Sequence, residues 1–243
     1  MERIDDLMTN DLKIIQSEDT FRFSMDAVLL ARFATVPAKG NILDLCTGNG
    51  VIPLLLSTRT KASITGVEIQ GRLADLAQRS VQLNGLEDQI RIVHEDLRQF
   101  KGEAGKQYYD LITVNPPYLP SARGDANLNP YLAAARHEIY CTLEDVMDAC
   151  RRLTKTGGKI AMIHRPSRLA DIMTAMRKAK IEPKRIRFVH PKQTSEANMV
   201  LIEGIKDGNP EVRLLPPLIV YDDHQQYSQE LLELYYGEKG KQR

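Results

Sequence analysis

What this sequence has little of narrows it first. Only Cys46, Cys141 and Cys150 occur, an odd set without CxxC spacing, so neither a disulfide framework nor a zinc site is suggested. A reducing cytosol fits that usage. The opening residues, MERIDDLMTNDL, carry acids where a secretory leader needs a basic region and an apolar core. The apolar runs, such as LLL within VIPLLL, are far too short to cross a bilayer. There is no internal repeat, no low-complexity tract and no Ser/Gly/Pro linker. The formal net charge is only +1, so any nucleic-acid surface has to be a local patch rather than a global field. The expectation is a soluble cytoplasmic protein that needs neither membrane nor metal, its oligomeric state left open with a monomer slightly favoured.

What is present is ordinary in amount and specific in order. A chain of 243 residues, 42% hydrophobic and 27% charged, suits one large α/β domain with small appendages. From residue 41 short apolar runs alternate with helical periodicity, which predicts a mostly parallel sheet covered by helices. The predicted strands are NILDLC, SITGVE, IRIVH, YDLITV and GKIAMIH. Helices are predicted over 50–59, 71–83 and 142–153, the last with Leu143, Val146, Met147, Cys150 and Leu153 in one stripe. A further helix near 168–180 precedes RIRFVH and ANMVLIEGIK, whose 191–196 connection is too short for a crossover. Those two runs therefore pair as an antiparallel hairpin. The expected division is 1–40 as an N-terminal extension or flap holding a helix near 25–34, 41–208 as the main domain, and 209–243 as a tail packing on it.

Four polar residues fall at the carboxyl ends of successive predicted strands, the edge where open α/β sheets bind ligands. LDLCTGNGVIPLLL places Asp44, then Gly48 and Gly50, before a helix whose first N–H groups are free. Such turns serve NAD, FAD, nucleotides and S-adenosylmethionine alike. The dinucleotide fingerprint is incomplete because Pro53 stands at its third glycine, and no Gly-Lys-Ser/Thr is present for a P-loop. Twenty-four residues past Asp44, Glu68 ends ITGVE and suits hydrogen bonds to both hydroxyls of a ribose. Asp96, after IVHE, is placed to accept from an exocyclic amine of adenine, with the Leu97 N–H for the ring. Each acid alone reads equally well as a surface carboxylate or helix cap. The fourth residue is Asn115, in TVNPPYLP, where two prolines end the strand and leave an amide, bare carbonyls and a phenol on a stiff loop.

DLCTGNG, GVEIQ, HEDLRQF and VNPPY, in this order, resemble a class I S-adenosylmethionine-dependent methyltransferase. FRFSMDAVLLARF upstream, with HRPSRL and PPLIVYD downstream, is similar to the bacterial tRNA1(Val) adenine N6-methyltransferase family. The resemblance implies a Rossmann-like class I fold: a mostly parallel seven-stranded sheet with an antiparallel C-terminal hairpin. It implies that Phe23, Ser24 and Asp26 close over the methionine end of the cofactor S-adenosylmethionine. Asp44, Gly48 and Gly50 would line its amino-acid and ribose portion, Glu68 would take the ribose hydroxyls, Ile69 would pack on the adenine, and Asp96 with Leu97 would hold the adenine edge. Ser24 and Asp26 read equally well as caps of the helix beginning near Met25, and Phe21 as core.

Under that resemblance Asn115, Pro116, Pro117 and Tyr118 form the catalytic quartet. An exocyclic amine on adenine is a poor nucleophile, because its lone pair is delocalised into the ring. Acceptors aimed at both N–H bonds favour the charge-developing form, a contribution of about 3 kcal/mol per contact. The Asn115 side-chain oxygen and the Pro116 carbonyl would be those acceptors, held rigid by the prolines, with Tyr118 as a stacking face.

The substrate is read less directly. The same quartet serves enzymes that methylate a glutamine amide in release factors, but those generally carry a separate helical N-terminal domain. Only about 40 residues precede the first predicted strand, which favours a nucleic-acid base. Arg123, Arg165 and Arg168 are the expected phosphate contacts, near Arg136, His164 and the basic run RKAKIEPKRIR, and 119–141 is expected to be a lid. RNA, with tRNA foremost, follows from the family resemblance alone. Release-factor glutamine, DNA or rRNA adenine, and a non-catalytic cofactor binder stay open as alternatives.

Overall fold

The computed structural model describes residues 1–18, 25–102, 108–118 and 141–236. Strands β1 (Glu2–Asp6) and β2 (Lys13–Ser17) form an antiparallel hairpin, and helix α1 (Met25–Phe33) follows. Then come β3 (Asn41–Leu45), α2 (Val51–Ser57), β4 (Ser63–Glu68), α3 (Gly71–Leu83) and β5 (Ile90–His94). After β6 (Tyr109–Val114), α4 (Leu143–Leu153) and β7 (Thr154–His164) lie α5 (Leu169–Lys178), β8 (Ile181–His190) and β9 (Met199–Lys206). The tail supplies β10 (Arg213–Leu214), β11 (Leu218–Ile219) and α6 (Gln229–Tyr236).

The main sheet runs β10–β8–β9–β7–β6–β3–β4–β5, with β11 also against β8. Strands β5, β4, β3, β6 and β7 are parallel, while β9 is antiparallel to both β7 and β8. The sequence predicts seven strands; the structure keeps those seven, with their antiparallel hairpin, and adds two 2-residue strands at the β8 edge. Pro216 and Pro217, lying between the two, each lack a backbone donor and keep the edge pairing short. β3 has β4 on one side and β6 on the other, so the strand order reverses between β3 and β6. That reversal opens a crevice beyond the carboxyl ends of β3 and β6, after Leu45 and Val114.

Alternation along the strands builds a core on each face. Ile42, Ile64 and Leu111 pack with α1 and α2, while Leu43, Leu45, Ile112 and Val114 pack with α4 and α5. The α4 stripe Leu143, Val146, Met147, Cys150 and Leu153 is buried as its spacing requires. A reciprocal cap starts this helix: Thr142 Oγ1 accepts from the Asp145 N–H, and the Asp145 carboxylate accepts from the Thr142 N–H.

The N-terminal hairpin was not legible in the sequence, since ERIDD offers a single apolar residue. Its second strand is pinned to α3 by polar contacts. The Ile15 N–H donates to Ser80 Oγ at 3.0 Å, and Asn84 bonds both the N–H and the carbonyl of Lys13. Glu2 adds ion pairs to Arg72 and Arg79.

Candidate active site

The turn after β3 is built on three residues with left-handed backbone in five: Cys46 at φ 57°, Gly48 at 58° and Gly50 at 86°. At Cys46 that conformation costs on the order of 1 kcal/mol, strain of a kind stored at ligand sites. Gly50 is needed twice over, because a Cβ there would stand 3.1 Å from the Ala77 Cβ. At Gly48 a Cβ would meet nothing within 4 Å among the described residues.

Asp44 and Glu68 brace this turn. Asp44 is fully buried, and its two carboxylate oxygens accept from Thr113 Oγ1 and Thr47 Oγ1 at 2.6 Å each. Thr113 stands directly opposite Asp44 in the β3–β6 register, which is why it can reach. Burial pushes the Asp44 carboxyl up to about 7, and the negative charge of Glu68 adds to this against the two threonine hydroxyls. Glu68 Oε2 accepts from the Gly48 N–H and Oε1 from the Gln70 N–H, both at 2.9 Å. Burial raises the Glu68 carboxyl as well, opposed by those N–H groups.

The third acid is held differently. Asp96 forms a forked pair with Arg98, whose Nε lies 3.0 and 2.9 Å from its two oxygens. Arg98 holds the Asp96 carboxyl below its ordinary value. The neighbouring Leu97 is buried, and its carbonyl accepts from Arg152 Nη2 at 3.0 Å. Ile69 is half-buried, with its carbonyl 3.0 Å from His94 Nε2.

At the end of β6, Asn115 and Tyr118 meet α1. The Tyr118 hydroxyl lies 2.7 Å from Asp26 Oδ2 and 2.5 Å from Asn115 Oδ1. The Tyr118 ring is 5.1 Å from the His164 ring, and the Arg165 guanidinium stands over it at 5.7 Å. The Arg165 N–H donates to His164 Nδ1 at 2.8 Å, so the imidazole proton is on Nε2. Burial, then the positive charge of Arg168, pushes His164 down to about 4 and keeps it neutral. Arg168 pairs with Asp171 at 2.8 Å.

Asp44, Gly48, Gly50 and Glu68 are thus joined in one hydrogen-bonded unit, and Asn115, Pro116, Pro117, Tyr118, Asp26 and Arg165 gather beside it across the β3–β6 crevice. Phe23, Ser24 and Arg123, with Phe21, Arg136 and 119–140 of the expected lid, lie outside the described residues. Sequence reasoning missed Thr47 and Thr113 as holders of Asp44, Arg98 as holder of Asp96, and the Asp26–Tyr118 contact. Arg98 and Thr47 had a local signal, two and three residues from their partners.

The donor set fits a nucleoside bearing a charged amino-acid portion: buried carboxylates for hydroxyls, and a glycine turn. Two buried polar atoms, Asn49 Nδ2 in the turn and Gln70 Oε1 after Glu68, have no hydrogen-bond partner among the described residues. Orphans of this kind call for a ligand or water.

The family model described as "Methyltransferase small domain" matches residues 23–179. The chain is 29% identical over 140 residues to the tRNA1(Val) (adenine(37)-N6)-methyltransferase of Bacteroides fragilis, covering 57% of each chain. It is 30% identical over 148 residues to the Aeromonas salmonicida protein of the same name, covering 60% of each. The chain thus spans less than two thirds of these relatives' length. A predicted O-methyltransferase from Agrobacterium tumefaciens superposes with TM-score 0.70 at 24% identity, over 87% of this chain and 96% of that one. The geranyl diphosphate C-methyltransferase of Streptomyces coelicolor, solved with S-adenosyl-L-homocysteine, gives 0.56 at 15% identity, over 74% and 79%. At such identities the structural likeness is one of fold.

Proposed function

Because the chain belongs to the methyltransferase small-domain family and has the class I S-adenosylmethionine-dependent fold, we propose that it methylates the exocyclic N6 of an adenine in RNA. The RNA we propose is a tRNA, and the base is the adenine next to the anticodon of tRNA-Val. The names borne by its relatives support the substrate. The observation that carries the chemistry is the Asn115–Tyr118 loop, fixed at the end of β6 beside the Asp44–Glu68 unit.

When bound, S-adenosylmethionine supplies a methyl group on a positively charged sulfur. Glu68 accepts from ribose hydroxyls with lone pairs left over from its two backbone donors. Asp96, steered by Arg98, would accept from the adenine amine. In the transfer half, the Asn115 oxygen and the Pro116 carbonyl accept the two N–H bonds of the target amine. Their fixed positions provide alignment before the base arrives. No strong general base is needed, since the methylated amine sheds its extra proton readily. Arg165 and Arg168, just beyond β7, and Arg123 are proposed to meet the RNA backbone.

The test is incubation with labelled cofactor and separate pools of tRNA, rRNA, DNA and release factor. Label in tRNA adenine is the expected result. Label confined to release factor overturns the substrate, and label in no pool overturns the activity.

A further inference from the structure

The contact between α1 and the Asn115–Tyr118 loop poses a problem in counting hydrogens. The Tyr118 hydroxyl has one hydrogen and two close neighbours, Asp26 Oδ2 at 2.7 Å and Asn115 Oδ1 at 2.5 Å. A phenol cannot donate to both. A carboxylate is a stronger acceptor than an amide carbonyl, so the hydrogen goes to Asp26. Burial and the charge of Asp26 keep the phenol protonated far above its ordinary range.

With that hydrogen on Asp26, Asn115 Oδ1 against the phenol oxygen would set two acceptors in contact, so the amide is turned half round and its NH2 donates there. An amide exchanges its oxygen and nitrogen by a half-turn about its last bond, and its partners decide which end goes where. With its NH2 against Tyr118, the carbonyl oxygen takes the other branch, free of the phenol. The reverse orientation would spend that oxygen on the phenol hydrogen.

We propose that Asp26 is a positioning residue for the transfer step: through the Tyr118 hydroxyl it fixes the Asn115 amide with its carbonyl oxygen free to accept from the target amine. This rests on the function proposed above for Asn115, and it gives Asp26 a task distinct from holding the cofactor. Asp26 is 92 residues from Tyr118 in sequence, on a helix buried against α2, so the lock is set by the fold rather than by the loop.

Two readouts test it. The first needs no substrate. In protein carrying 15N-asparagine, the Asn115 side-chain NH2 signals are identified by their loss in Asn115→Asp. They should shift in Asp26→Asn and in Tyr118→Phe, with chemical shifts in the double variant equal to those of Tyr118→Phe alone. Unchanged Asn115 signals in folded Tyr118→Phe overturn the proposal, even if Asp26→Asn does not fold.

The second is a double-variant cycle on methyl transfer. Asp26→Asn should lower kcat about 10- to 100-fold with the cofactor dissociation constant within about threefold, and it should have no further effect on Tyr118→Phe. Fully additive losses, or a cofactor affinity that collapses in Asp26→Asn, overturn it in favour of a direct cofactor contact. If the parent protein methylates no RNA, the activity proposed above fails, and the amide signals alone decide whether Asp26 orients Asn115.

Discussion

The two halves of the crevice solve the problem of burying polar groups in opposite ways. At the ends of β3 and β4 the groups are carboxylates, Asp44 and Glu68, surrounded by hydroxyl and N–H donors. Burial still pushes both upward, Asp44 to about 7. At the ends of β6 and β7 the groups are an amide, which does not ionise, and a phenol and an imidazole, which burial keeps uncharged. Under the proposed function the difference follows from what each half would meet. Hydroxyls and amines at rest are bound well by strong acceptors. An amine that becomes positive during the reaction is served by dipoles already aligned, which need no reorganisation as charge develops. The lesson is that one sheet edge holds two dielectric strategies a few residues apart.

That contrast predicts separable damage. The largest effect is expected from Asn115→Ala, which should lower kcat by about 100- to 1000-fold while calorimetry finds cofactor affinity within about threefold. A collapse of affinity with normal transfer per bound complex would erase the distinction between the halves. Next comes Glu68→Gln. Its amide offers hydrogens where the carboxylate accepted them from Gly48 and Gln70, so the cofactor dissociation constant should rise about 10- to 100-fold. Here a loss seen in kcat alone would count against the assignment.

The smallest effect is in stability against pH. Asp44 rises from an ordinary 3.8 to about 7 on folding, so the folded protein holds an extra proton between those values, and stability falls as pH climbs through them. His164 drops from 6.5 to about 4, so the unfolded chain holds the extra proton, and stability falls as pH drops through that window. Each slope is at most about 1.4 kcal/mol per pH unit, and between about 4 and 6.5 they oppose. In denaturant unfolding of cofactor-free Asp44→Asn across that range, stability should therefore rise more steeply toward pH 6.5 than in the parent, with Glu68, also raised by burial, still opposing the His164 slope. A profile identical to the parent's would show that Asp44 is not an opposing group.

The parallel core of the fold was readable because β3 to β7 carry continuous apolar runs and α4 carries a clean stripe. Strand ends are also where local sequence locates a site, so Asp44, Glu68 and Asn115 could be placed on one edge. What stayed hidden depends on distance in the chain. Thr113 matters only because sheet register sets it opposite Asp44. Asp26 and Tyr118 meet only because α1 packs on the same face as α2. The forked pairing of Arg98 with Asp96 is local, yet an exposed arginine two residues from an acid looks like any solvated charge. β1 and the two short tail strands have too few apolar residues or too many prolines to announce themselves.

The last helix ends against the first. The Leu234 carbonyl accepts from Arg32 Nε at 2.7 Å, the Tyr235 carbonyl accepts from Thr9 Oγ1 at 2.6 Å, and Arg32 Nη2 reaches Thr9 Oγ1 at 3.0 Å. These carbonyls belong to the open end of α6, where a cation is favoured and partners are otherwise lacking. The tail therefore works as a buttress behind the helix that presents Asp26. Loosening it should slacken α1 and so unsettle Asp26 from outside the crevice.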